Sequence, residues 1–101
     1  MDFGMALEAL KRGKAVARKG WNGKGMFLTY VSGNKIPVSC FTDENIQKHY
    51  GKTDVTVNGF ICMKAADGTL VIGWLASQTD MLAEDWEIVN PVPMKDEVHY
   101  R

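Results

Sequence analysis

Three tryptophans and the short polar side chains around them are the part of this sequence best equipped for chemistry. Gly73-Trp74-Leu75-Ala76-Ser77-Gln78-Thr79-Asp80-Met81-Leu82-Ala83-Glu84-Asp85-Trp86 holds two of them, on either side of a Ser-Gln-Thr-Asp run. The third, Trp21, sits in Gly20-Trp21-Asn22-Gly23-Lys24-Gly25-Met26. Indole rings supply apolar walls and stacking faces, while hydroxyl, amide and carboxylate groups supply hydrogen-bonding partners. Together they suit a pocket for a polar, ring-containing ligand, provided the two runs meet within a subunit or across a subunit boundary.

Catalysis has no matching set of residues. His49 falls in a weakly apolar middle segment and His99 near the end of the chain, neither with a convincing partner. There is no HxH, HExxH or Cys/His cluster, so no transition-metal site is expected, and no motif calls for a cofactor. Ser77 lacks a GxSxG elbow and a histidine base. Asp80, Glu84 and Asp85 admit two readings: carboxylate or divalent-cation chemistry, or helix-start acids on a solvated face. A short helix would put Asp80 and Glu84 on one face and turn Asp85 away, which favours the second.

The other features are equally double-edged. A glycine-rich loop can offer backbone N–H groups to phosphate, with Lys19 and Lys24 adding charge. Its spacing matches neither a Walker A loop nor the dinucleotide fingerprint, and a plain strand connection uses the same residues. Trp21 and Trp74 can serve a core as readily as a ligand, and Trp86, followed by Ile88, reads as core. Ser-Gln-Thr-Asp can be a helix cap and nothing more.

The elements that must position these residues follow from periodicity and punctuation. Asp2 caps a helix whose Phe3, Ala6, Leu7 and Leu10 share one face, and Gly13 stops it. Ala15–Ala17 is a short strand, and Met26–Ser32 a second. Pro37 restricts Ile36–Val38 to an edge or irregular segment. Thr42 is expected to cap a helix over Asp43–Tyr50, ending at Gly51. Asp54–Val57 and Gly59–Ala65 read as strands, and Asp67-Gly68 turns the latter back along Leu70-Val71-Ile72. Ser77 or Thr79 caps a helix near 78–84, and Trp86–Val89 is the last strand. The expectation is an α+β fold: a small antiparallel sheet with an N-terminal helix and short additional helices. It forms one domain over 1–90 and ends in a tail over 91–101.

Composition narrows the class. With 46% hydrophobic and 24% charged residues, the chain is an ordinary globular one. Its net charge is zero, yet residues 1–26 hold six basic groups against Asp2 and Glu8, a local excess of four. That excludes the uniform basicity of a general DNA or RNA binder and gives the Trp21 end a field suited to a small anion. No apolar run approaches membrane-spanning length. Cys40 and Cys62 lack metal spacing, and Met1-Asp2-Phe3 opens a helix directly, so buried free thiols in a reducing cytoplasm are expected. A compact chain of 101 residues has a radius of gyration of about 13 Å. A nucleotide-sized pocket inside it would displace much of the core, so a site shared in a homo-oligomer is expected.

Two blocks carry a resemblance. The first is Asp2-Phe3-Gly4, Ala6-Leu7-Glu8-Ala9-Leu10-Lys11 and Val16 through Met26; the second is Met63-Lys64-Ala65-Ala66-Asp67-Gly68 and Trp74 through Trp86. They resemble the phage Thoeris anti-defense proteins of the second type, a family formerly known only as a domain of unknown function. Residues 33–58 match nothing familiar and look like a variable insertion.

The resemblance implies a cytoplasmic, non-enzymatic sponge that holds cyclic nucleotide immune signals away from their effectors. The implied ligands are a glycocyclic ADP-ribose isomer and, for some members, cyclic di- or oligonucleotides. Homotetramers with sites between protomers are also implied. Carried over, Trp21 stacks on the base or closes the pocket, Asn22 with the Gly23 and Gly25 backbone meets polar groups, and Arg18 or Lys24 offsets phosphate. Ser77, Gln78, Thr79 and Asp80 bond ribose and base edges, with Trp74, Met81 and Met26 in the wall. Two alternatives remain: an enzyme that cleaves the same signal, and a protein-binding inhibitor of a host factor acting through 33–58.

Overall fold

The computed structural model describes residues 1–21 and 24–93. The expected polar contacts of Asn22 and Gly23, and the greater part of the expected tail, lie outside the described residues. The elements run α1 (Phe3–Lys11), β1 (Ala15–Arg18), β2 (Phe27–Val31), β3 (Asn34–Pro37), α2 (Glu44–Tyr50), β4 (Asp54–Val57), β5 (Phe60–Lys64), β6 (Leu70–Ile72), α3 (Gln78–Leu82) and β7 (Trp86–Val89). Single 3₁₀ turns cover Lys19–Trp21 and Val38–Cys40. The architecture is α+β.

The first helix starts where Asp2 accepts the Met5 N–H at 2.8 Å, satisfying one of the N-terminal donors that a helix leaves unpaired. Its inward face is the expected stripe with Ala9 added: Ala6, Ala9 and Leu10 are buried. It lies on an antiparallel sheet of order β6-β5-β2-β1-β7. The register sets Val16 against Leu28 and Ile88, Leu28 against Met63, and Arg18 against Trp86. Side chains alternate along a strand, so Val16, Arg18, Leu28, Ile61, Met63 and Trp86 share the face that α1 covers. The core joins Ala6, Ala9, Leu10, Val16, Leu28 and Trp86, with Phe3, Leu7, Trp21 and Trp74 packed against it.

The other face carries Ala15, Ala17, Phe27, Cys62, Lys64, Glu87 and Val89. Both α1 and α3 lie on the first face, and no helix among the described residues lies over this second one.

The hairpin expected at Asp67-Gly68 is present: β5 and β6 pair antiparallel, and Asp67 accepts from the Thr69 N–H and hydroxyl at 3.0 and 2.7 Å. Residues 33–58 hold a second, two-stranded sheet in which β3 and β4 pair with Ile36 opposite Val55. Both strands of such a pair are edges, which is where Pro37 is tolerated. The cap of α2 is Asp43 rather than Thr42. Its carboxylate accepts the N–H groups of Asn45 and Ile46 at 2.8 and 3.1 Å, two orphan donors where a hydroxyl normally takes one.

Two expectations fail. The radius of gyration is 16.6 Å with extents of 45 × 41 × 22 Å, against about 13 Å for a compact chain of this size. A sheet covered on one side, together with a separately paired second sheet, gives a flat molecule. Cys62 is buried, and burial pushes its thiol pKa up, but Cys40 is exposed at the end of a 3₁₀ turn.

Leu28 is fully buried at the centre of the main sheet. Leu28→Ala should destabilise the fold by about 2–5 kcal/mol, seen as a lowered urea midpoint at matched protein concentration. An unchanged midpoint would place the core elsewhere.

Candidate functional site

The site is organised by Arg18, the last residue of β1. Its Nε donates to Asp85 Oδ1 at 2.8 Å and its Nη1 to Asp80 Oδ1 at 2.7 Å. One guanidinium therefore ties the end of β1 to α3 and to the connection leading into β7. Asp85 Oδ2 also accepts the Gly20 N–H at 2.7 Å, and the Lys19 N–H reaches the Asp85 carbonyl at 3.1 Å, which fixes the turn ahead of Trp21. A Cβ on Gly20 would stand 2.9 Å from Asp85 Oδ2 and 3.1 Å from Arg18 Nη2, so any other residue there pushes on the ion pair.

Asp80 is held from every side. Ser77, the N-cap of α3, donates its hydroxyl to Asp80 Oδ2 at 3.0 Å and accepts the Asp80 N–H at 3.1 Å. The Trp86 indole N–H donates to the Asp80 carbonyl at 3.0 Å. The reading of Asp80 and Glu84 as one helical face, with Asp85 turned away on solvated surface, is corrected here. The helix stops at Leu82, so Glu84 is not part of it, and the chain turns so that Asp80 and Asp85 converge on Arg18.

Charge follows geometry. Hydrogen bonds to Asp85 and then Asp80 raise the Arg18 pKa above its ordinary value. Arg18 in turn holds the Asp85 carboxyl below the usual carboxylate range. Burial pushes Asp80 up, but hydrogen bonds from Arg18 and Ser77 outweigh it, and its pKa is lowered as well.

The three indoles form one cluster. Trp21 meets Trp86 edge-on with centroids 5.3 Å apart, and Trp74 lies 6.5 Å from each of them. Trp86 is buried, while Trp21 and Trp74 remain half-buried. The two polar runs do meet, through Trp21 on Trp74 and Arg18 on Asp80.

A cavity of about 520 Å³ opens on the uncovered side of the sheet. Its floor is Ala17, Phe27, Lys64, Glu87 and Val89, all on the second face. Lys19, Trp21, Lys24, Gly25 and Met26 form one wall, with Arg18 at the strand end, and Asn90, Pro91 and Val92 form the other. Of the expected site residues, Arg18, Trp21, Lys24, Gly25 and Met26 line this space. Trp74 reaches it only through the edge of Trp21. Ser77, Gln78, Thr79, Asp80 and Met81 belong to α3 or its cap and are not among the lining residues; of these only Asp80 is not exposed.

Sequence reasoning missed Lys64, Glu87 and Asn90. Lys64 stands directly opposite Phe27 in the register, a placement that needs the strand pairing and not just the strands. Among the described residues, Lys19, Lys24 and Lys64 enter no ion pair, no group of three or more potential metal ligands occurs, and no helix is long and apolar enough to cross a membrane.

Comparison with known proteins places this geometry. Residues 1–89 match the family described as the Thoeris anti-defense 2-like domain. The chain is also similar to "Thoeris anti-defense 2" of Bacillus phage SP01, at 40% identity over 92 residues, covering 89% of this chain and 96% of that protein.

The carboxylates generate a pH prediction. Their folded-state pKa values are depressed, so their contribution is present above the ordinary value of 3.8 and is lost as pH falls through the folded values. Asp80→Asn should melt below the parent at pH 7, and the gap should close as the pH drops below about 4. Thermal melts across that range check it; a gap independent of pH would mean the ion pair contributes nothing.

Proposed function

The chain belongs to the Thoeris anti-defense 2-like family, and on that premise we propose that it is a phage anti-defense sponge that binds a cyclic nucleotide immune signal and leaves it chemically intact. The observation that carries this reading is the cavity. Its volume of about 520 Å³ lies in the range of small-molecule sites. An indole and a phenyl ring offer stacking surface, and three lysines that enter no ion pair among the described residues offer charge to phosphate. Glycocyclic ADP-ribose and cyclic di- or oligonucleotides all combine these two demands, a flat base and a phosphate. Sequestration needs a dissociation constant below the working concentration of the signal, and a nanomolar constant corresponds to about −12 kcal/mol. A preformed, mostly apolar pocket bordered by lysines is a reasonable source of it.

The α3 side enters through assembly. Leu75 and Leu82 are 90% and 79% exposed beside the Ser77–Met81 run. Apolar surface of that kind is what another subunit covers. A homotetramer in the host cytoplasm, with Trp74, Ser77, Gln78, Thr79, Asp80 and Met81 of one protomer facing the ligand of another, accounts for both halves of the site.

A hydrolytic reading is disfavoured by the grip of Arg18. Asp80 and Asp85 are kept ionised and hydrogen-bonded, which makes them weak bases.

Titration calorimetry against a panel of cyclic nucleotides and ADP-ribose isomers is the direct test, and silence across the panel would end the reading. Within it, Trp21→Ala should weaken binding by about 30- to 1,000-fold, as truncation of an aromatic anchor does. Light scattering should show the same assembly for both proteins. Loss of the assembly with the tryptophan would make Trp21 a core residue instead.

A further inference from the structure

We propose that Lys64 is the specificity-determining cation of the cavity, selecting ligands by phosphate, and that Gly25 places it. This rests on reading the cavity as the ligand site. Three lysines line that space, but they are not equivalent. Lys19 and Lys24 are exposed, whereas Lys64, at the end of β5, is half-buried on the floor. Its Nζ donates to the Gly25 carbonyl at 3.2 Å, which anchors the ammonium against the loop that carries Trp21.

Gly25 makes the approach possible. Its φ of +73° is left-handed, and a Cβ there would come within 3.3 Å of Lys64 Nζ. Any other residue would strain the turn and crowd the ammonium. An ammonium has three donors, so one bond to Gly25 leaves two for an anion at the same spot.

Charge argues the same way. The guanidinium of Arg18, one of the two residues expected to offset phosphate, is itself offset by Asp80 and Asp85. Lys19 and Lys24 show no bond like that of Lys64 to Gly25 among the described residues, so their side chains must be ordered when a ligand arrives. The Lys64 ammonium is already held by a carbonyl and so loses less freedom on binding. Glu87 on the same floor repels a second phosphate placed deep in the cavity, so the anionic part of a ligand is directed to the Lys64 end.

The test is calorimetry of cyclic ADP-ribose and cyclic di-GMP with the parent, Lys64→Met and Lys64→Arg, at about 0.05 M and about 0.5 M salt, where the screening length changes severalfold. For the probe the parent binds, Lys64→Met should weaken affinity about ten- to hundredfold and flatten its salt dependence. Lys64→Arg should keep most of both. Parental affinity in Lys64→Met, or weaker binding with the parental salt dependence, overturns the assignment while leaving the sponge reading standing. If the parent binds neither these probes nor any other member of the panel, the sponge reading itself fails and this assignment with it. Thermal melts of each variant separate loss of charge from loss of fold.

Discussion

The arrangement depends on one guanidinium shared by two carboxylates. Arg18 lies on the same face as the core, opposite Trp86, where an unpaired charge is costly. Asp80 and Asp85 offset it, and in doing so they bring α3 and the approach to β7 to the end of β1. Such pairs add little net stability, because desolvation consumes much of the Coulomb gain. What this one supplies is position. Removing the arginine would leave two carboxylates facing each other and free the turn that presents Trp21. Gly20 and Ser77 belong to the same constraint, the first by keeping out a side chain and the second by holding Asp80.

From that anchor the two faces of the sheet diverge. On one, α1 and the indole cluster make a dense core, with Trp86 buried at its centre. On the other, no helix among the described residues lies over Ala17, Phe27 and Val89, and Lys19, Trp21, Lys24, Gly25 and Met26 border the cavity there. Trp21 belongs to both, with one edge on Trp86 and another part of the ring in the cavity wall. A ligand in that cavity is thus in contact with a ring that the core has already oriented, which lowers the entropy lost on binding. This is physical content for a protein of the Thoeris anti-defense 2-like family: apolar surface beside lysines that enter no ion pair among the described residues.

The sequence made the elements legible and their pairing illegible. Local signals placed α1 through Asp2 and its apolar stripe, the β5–β6 hairpin through Asp67-Gly68, and α3 through Ser77 or Thr79, of which Ser77 is the cap. Each depends on neighbours in the chain. The convergence of Asp80 and Asp85 on Arg18 spans more than sixty positions, and no periodicity encodes it. Lys64 was overlooked for the same reason, since its place opposite Phe27 comes from strand register. The cap of α2 went to Thr42 instead of Asp43 because both are good caps in sequence, and only backbone geometry separates them. The shape was misjudged because the β3–β4 pair forms its own sheet instead of joining the first.

The central claim is that the cavity holds a signal without changing it. Loading the protein with a cyclic nucleotide it binds, removing the unbound excess, denaturing by heat and recovering the small molecule for mass spectrometry tests this most directly. The account predicts the parent mass, returned in the amount bound, after incubations of any length. A linear or hydrolysed product that accumulates with time would contradict it and make the protein an enzyme.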